Sequence, residues 1–247
     1  MTKFVSGADA LDVLNQEESG GNNVEFSSFK SGTTYFVKVL GTADLIQFFS
    51  YGIYNKVNSF VADKPSKKSA AGNPVEDLTV WDKAWKYHKD LSKEWTDEHG
   101  QEAAKYRPKQ RFAMGFFDLT SGEPIIIDVS KNQAQAIHGN IKKYEKRLDQ
   151  MAFELSKQGS GRDTTVSLSP VMFPEEDLTE QQQKNLAEAP KEFDMKLFDG
   201  ILFEADEAQQ IENLIQAGFD ISLIGLEAPK KEDGGEPLEV TDDMLPF

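Results

Sequence analysis

Two stretches of the sequence set aromatic side chains among cations. Tyr51, Tyr54, Lys56 and Phe60 run into Lys64, Lys67 and Lys68; later come Tyr106, Arg107, Lys109, Arg111 and Phe112. Such a mixture suits an unpaired nucleic-acid strand, because cations track phosphates and flat rings stack on exposed bases at ~1–3 kcal/mol per base. Each ring also has a plainer use as core. Tyr35, Phe36, Phe116 and Phe117 read as core, since adjacent strand residues point to opposite faces and at least one of each pair must pack inside. Tyr106, flanked by Lys105 and Arg107, reads as a binding ring at least as readily. Trp81 and Trp85, one helical turn apart, read as a packing stripe. The turn Gln158, Gly159, Ser160, Gly161, Arg162 lacks the spacing and following helix of a P-loop. Lys157 and Arg162 at its base are placed to touch a backbone phosphate.

Signs of catalysis are absent. The sequence holds no GxSxG, HExxH, EF-hand or dinucleotide fingerprint. It has no cysteine, which removes disulfides, thiolate nucleophiles and Cys-based metal sites. Three histidines (His88, His99 and His138) are too scattered for most zinc sites. Acidic pairs such as Asp118 with Glu123, or Glu175 with Glu176, read as solvated faces rather than nuclease metal ligands. A non-enzymatic chain without metal or cofactor is expected.

The elements that would position these residues follow from local pattern. Strands are expected at 33–40, 46–51 and 56–61, then a lysine-bearing loop at 64–74. A long helix over 75–105 carries Leu78, Trp81, Trp85 and His88 at three- and four-residue steps. Strand composition returns at 109–119, and a turn at 120–123 leads to a hairpin partner at 124–129. Ser130 caps a helix whose stripe is Ala134, Ile137, Ile141, Tyr144 and Leu148. A last hairpin spans 152–157 and 164–168. Helices are expected near 7–14, 179–188 and 206–217. Short strands with a helix before the final hairpin predict a mainly β, α+β fold: an oligonucleotide/oligosaccharide-binding (OB) barrel at 30–170 with a helical insertion at 75–105. Around it lie a polar segment at 1–29, an acidic helical region at 171–228 and a disordered acidic tail at 229–247.

Charge divides along the same lines. Of a net −15 over 247 residues, residues 1–29 carry −4, residues 30–170 carry +4 and residues 171–247 carry −15. An anion-binding body with an acidic end is the natural reading. The alternative is a DNA mimic that occupies a host enzyme's DNA site, but segregated charge argues against it. Residues 1–12 lack the apolar run of a signal peptide, and no window approaches ~18 apolar residues. A soluble intracellular protein with no membrane partner is expected, its oligomeric state open between monomer and weak dimer.

The chain closes on Thr241, Asp242, Asp243, Met244, Leu245, Pro246 and Phe247. An acidic run ending in apolar side chains suits docking into a basic-rimmed apolar pocket on another protein. Residues 242–247 resemble the acidic, Pro-Phe-ending tip of bacterial single-stranded DNA-binding proteins, which recruits replication and repair partners. The body resembles the replicative single-stranded DNA-binding (helix-destabilising) proteins of large tailed phages. That resemblance rests on 106–112 with its hairpin to Val129, and on 153–170 with its Gly-Ser-Gly turn, Thr-rich strand and Pro170. It implies an OB barrel binding single-stranded DNA in replication, recombination and repair, in the cytoplasm of an infected bacterium, with replication and recombination proteins as partners. By position it puts Lys56, Lys67, Lys68, Arg107, Lys109, Arg111 and Phe112 in the DNA groove. The zinc site of some relatives and their basic N-terminal segment have no counterpart here.

Overall fold

The structure, a computed structural model, describes residues 25–227. In chain order it runs β1 (Thr34–Lys38), β2 (Leu45–Ile53), β3 (Val57–Ala62), β4 (Lys67–Lys68), β5 (Pro74–Glu76), α1 (Val80–Leu91) and α2 (Glu98–Tyr106). Then come β6 (Lys109–Asp118), β7 (Glu123–Ser130), α3 (Lys131–Lys143), β8 (Phe153–Gln158) and β9 (Thr165–Pro170). The short α4 (Pro174–Asp177), α5 (Glu180–Glu188), β10 (Glu204–Ala205) and α6 (Glu207–Ala217) complete it. The fold is mixed α+β. It divides into two compact units, whose described parts are 25–50 with 109–203, and 51–108 with 204–227. The expected helix at 7–14 and the tail at 229–247 lie outside the described residues.

In the first unit β6 is central. One edge pairs with β7 along its length, from Arg111↔Ser130 to Asp118↔Glu123. The other edge is shared: Leu45–Ser50 of β2 pair with its first half, and Val37 and Lys38 of β1 with its end. The far edge of β1 pairs with β8, which forms a hairpin with β9. Among the described residues no ladder joins β7 to β9, so the sheet is not closed. Helix α3 opens on a reciprocal cap, Ser130 with Gln133, and buries Ala134, Ile137 and Ile141. These join Val37, Met114, Phe116, Ile127, Phe153, Leu155 and Leu168 in the main core.

The opposite face of β6 is covered too, by residues from the segment expected to form a separate acidic region. Phe116 and Phe117 are both buried, because Phe117 packs with Leu119, Ala152 and Leu178 on the other face. Ala113 and Ile126 meet Phe193, Phe198 and Ile201. Gly115 makes room there, since a Cβ would overlap the Phe193 ring and force it to shift. Residues 171–228 are therefore not a separate acidic region: their first part completes this unit and the rest completes the other.

In the second unit the end of β2 pairs with β3, and β10 adds to β3 in parallel. Its core holds Tyr51, Phe60, Trp81, Tyr106, Leu214 and Phe219. The single helix expected over 75–105 is two helices, preceded by β5, which pairs with β4 inside the expected loop. The break has a local cause. The Asp97 carboxylate accepts hydrogen bonds from the amides of Lys93 (2.7 Å), Glu94 (3.1 Å) and Gly100 (2.6 Å), capping α2 and folding the chain at 92–97. Those amide bonds hold its pKa far below the usual carboxylate range.

Candidate nucleic-acid interface

On the first unit, β6 and β8 gather three of the expected cations. Lys109 and Arg111 alternate along β6, opposite Ser50 and Phe48 of β2. The Arg111 guanidinium donates through Nε to Asp128 Oδ1 at 2.8 Å, with both side chains partly exposed. Lys157 sits near the end of β8 with its ammonium over the Phe29 ring, 5.3 Å from the centroid. Burial, and then the Arg111 charge, lower the pKa of both Lys109 and Lys157; Asp128 opposes this at Lys157. Arg111, itself paired with Asp128, thus disfavours the charged forms of both lysines, a like-charge repulsion that an incoming phosphate would relieve. Phe112 is half-buried against the main core, so its ring serves packing at least in part. Arg162 belongs to the 3₁₀ turn Gly161–Asp163, and its side chain lies outside the described residues.

The remaining expected residues lie on the second unit, and most have other occupations. Tyr51, Phe60 and Tyr106 are buried, their rings packed around Trp81, which excludes them as base-stacking platforms. Adjacent cations misled the reading of Tyr106: Lys105 and Arg107 are exposed while the ring between them turns inward, as helical phase allows. Lys68 is buried and faces the fully buried Asp82 at 3.4 Å. The same carboxylate oxygen accepts from the hydroxyls of Tyr51 and Ser66. Lys67 pairs with Glu76 and Asp77 on the surface. Tyr54, 90% exposed, and Lys56 occupy the β2–β3 turn, where the Lys56 ammonium reaches the Ala217 carbonyl. Arg107 donates to the Asn73 side-chain carbonyl at 3.0 Å.

No family model, curated protein or solved structure matches the chain. Among the described residues no helix is long and apolar enough to cross a membrane, and no group of three or more His, Asp or Glu is placed to hold a metal ion. The last residues, Asp242 to Phe247, lie outside the described part of the chain.

Sequence reasoning passed over two features of the second unit. The first is a cleft of about 580 Å³ between α1, α2 and the 92–97 turn, lined among others by Trp85, Lys89, Lys93, Trp95 and Arg107. The second is a histidine pair. His88 of α1 and His99 of α2 approach with their Nδ1 atoms 3.0 Å apart, and the His88 ring stacks on Tyr106. Burial first, and His99 second, lower the His88 pKa below its ordinary 6.5, against the opposing charges of Glu102 and Glu98. The unfolded chain then binds this proton more readily than the folded one. The stabilisation is complete above about pH 6.5 and is lost as pH falls below it. The urea midpoint followed by tryptophan emission is expected to drop between about pH 7 and 5, with a weaker pH dependence in His88→Gln. Equal slopes in the two proteins would remove the pair from that role.

Proposed function

We propose that the protein binds single-stranded DNA without sequence preference, protecting it during phage DNA replication, recombination and repair. The observation that carries this is the positive cluster of Lys109, Arg111 and Lys157 on the first unit's open sheet. Two features lend support. The pairing order β7, β6, β1, β8, β9, with α3 between β7 and β8, is compatible with a partly open barrel of the OB type, which this reading requires. The excess of positive charge in residues 30–170, against a strongly acidic remainder, fits an anion-binding body. Binding proceeds by phosphate neutralisation at the cluster, which releases counterions and holds the strand away from its complement. The chain performs no chemistry on the strand.

A mobility-shift assay with poly-dT and with duplex DNA, with and without magnesium, tests the reading. A shift of poly-dT with no cleavage is expected; absence of any shift overturns it, and leaves the acidic DNA mimic as the better account. The C-terminal tip belongs to the same proposal as the partner-recruiting element. Removing residues 238–247 deletes Glu239, Asp242 and Asp243. If the tail competes with DNA for the cluster, the shortened chain binds poly-dT more tightly, most at low salt where screening is weak. An unchanged affinity at low salt would separate the tail from DNA binding.

A further inference from the structure

The cleft on the second unit has the composition of a base-binding site. Trp85 and Lys89 stand one turn apart on α1 and so share a face. The turn clamped by Asp97 presents Lys93 and Trp95, and Trp95 is 68% exposed, a large apolar ring left mostly to solvent. The floor is small: Gly100, Ala103 and Ala104 of α2. Gly100 is forced, because a Cβ there would lie 2.6 Å from the carbonyl oxygens of Glu94 and Trp95. Lys89, Lys93 and Arg107 are exposed cations, and none has a carboxylate within ion-pair distance among the described residues. The neutral Asn73 carbonyl orients the Arg107 guanidinium without cancelling its charge. Among the described residues, Glu94 is the one acid in the lining.

We propose that this cleft takes an unpaired nucleobase of a single strand, stacked on Trp95, with the adjoining phosphates on Lys89, Lys93 and Arg107. Charge complementarity selects the occupant: flat rings with three unneutralised cations match a π-system that carries negative charge beside it. The proposal rests on single-strand binding by the chain and adds a second contact point, on the unit that lacks the β6 cluster.

The test uses intrinsic fluorescence beside an independent measure of binding. The chain has three tryptophans; Trp81 is fully buried, so quenching by an added strand reports on Trp85 and Trp95. A dT oligomer of about twelve nucleotides, with a terminal dye for anisotropy, spans a typical single-strand site. Titration is expected to quench tryptophan emission in step with the anisotropy. Trp95→Phe keeps a smaller stacking ring and should bind more tightly than Trp95→Ala while losing most of the quench. Trp95→Ala should weaken binding by about 5- to 150-fold with an unchanged urea midpoint. Binding by anisotropy without quenching, or Trp95→Ala at full affinity, overturns the cleft proposal and leaves the proposed function standing. No anisotropy change at all overturns the proposed function, and this inference with it. Quenching by thymidine monophosphate at the same concentration as the oligomer would show that the strand is not read. A change in emission on deleting residues 238–247, with none on adding DNA, would assign the cleft to the chain's own tail; either result also overturns the proposal.

Discussion

Replacing Lys109, Arg111 and Lys157 together with alanine is expected to abolish most of the salt dependence of poly-dT binding. Three lost phosphate contacts, at about 0.7 each for single strands, reduce the slope of log K against log salt by roughly 2. The parent slope expected for three to five contacts is roughly −2 to −3.5, so the variant should retain roughly 0 to −1.5, carried by cations outside the cluster. At about 50 mM salt the same loss amounts to several hundred-fold in affinity, on the order of two to three decades. Local geometry, not net charge, is the claim, and an equal-charge control separates them. Lys67, Lys86 and Lys105 are exposed and already paired with Glu76, Asp90 and Glu102. Changing those three to alanine alters the net charge by the same amount, yet should shift the slope by well under ~1 unit. If both triple variants lose the same slope, the cluster on β6 and β8 is not where phosphates bind.

The largest effect on stability is expected at Lys68. Its ammonium and the Asp82 carboxylate are buried together, with side-chain exposures of 8% and 0%. Removing one member of such a pair leaves the other charge uncompensated in a poorly solvating interior, a loss of ~3–5 kcal/mol. Lys68→Met keeps most of the stem's volume and isolates that charge effect from a cavity effect. Asp82→Asn retains an oxygen to accept from Tyr51 and Ser66, so the double variant Lys68→Met with Asp82→Asn should recover most of the loss. Chemical denaturation measures all three. Folded Lys68→Met should keep the parent's salt slope for poly-dT. A cost under ~1 kcal/mol together with a reduced slope would return Lys68 to the phosphate-binding set.

Local pattern made the strands and most helices legible, because each has a short-range cause. The run 109–119 and its partner at 124–129 emerge as β6 and β7. Ser130 caps α3 as its type and position imply. What local pattern could not carry was the company each residue keeps. Asp97 reads as one more helical acid until its carboxylate is seen collecting three amides and ending the helix. Phe193, Phe198 and Ile201 sit in an acidic stretch whose net charge hides their burial against β6 and β7. The candidate site divides the same way. Lys109, Arg111 and Lys157 are separated by up to 48 positions along the chain, and only the β6, β1, β8 pairing brings their strands into one sheet. Tyr51, Phe60, Tyr106 and Lys68 looked like ligands of DNA because lysines neighbour them in sequence. Their burial depends on Trp81, Asp82 and α6, which lie far from most of them along the chain.

The interleaving of the two units sets an order of events during synthesis. The second unit begins at Tyr51, but Phe219 and Ile221 of its core are translated some 170 residues later. At about 5–20 residues per second that gap is roughly ten to thirty seconds. The first unit waits about half as long for Phe193 and Phe198 to cover Ala113 and Ile126. Nascent chains therefore carry two unfinished apolar faces at once, one on each unit, and both close within the same short stretch of translation. A ribosome stalled between residues 126 and 193 would display both faces, as a recombinant fragment ending at Pro170 would.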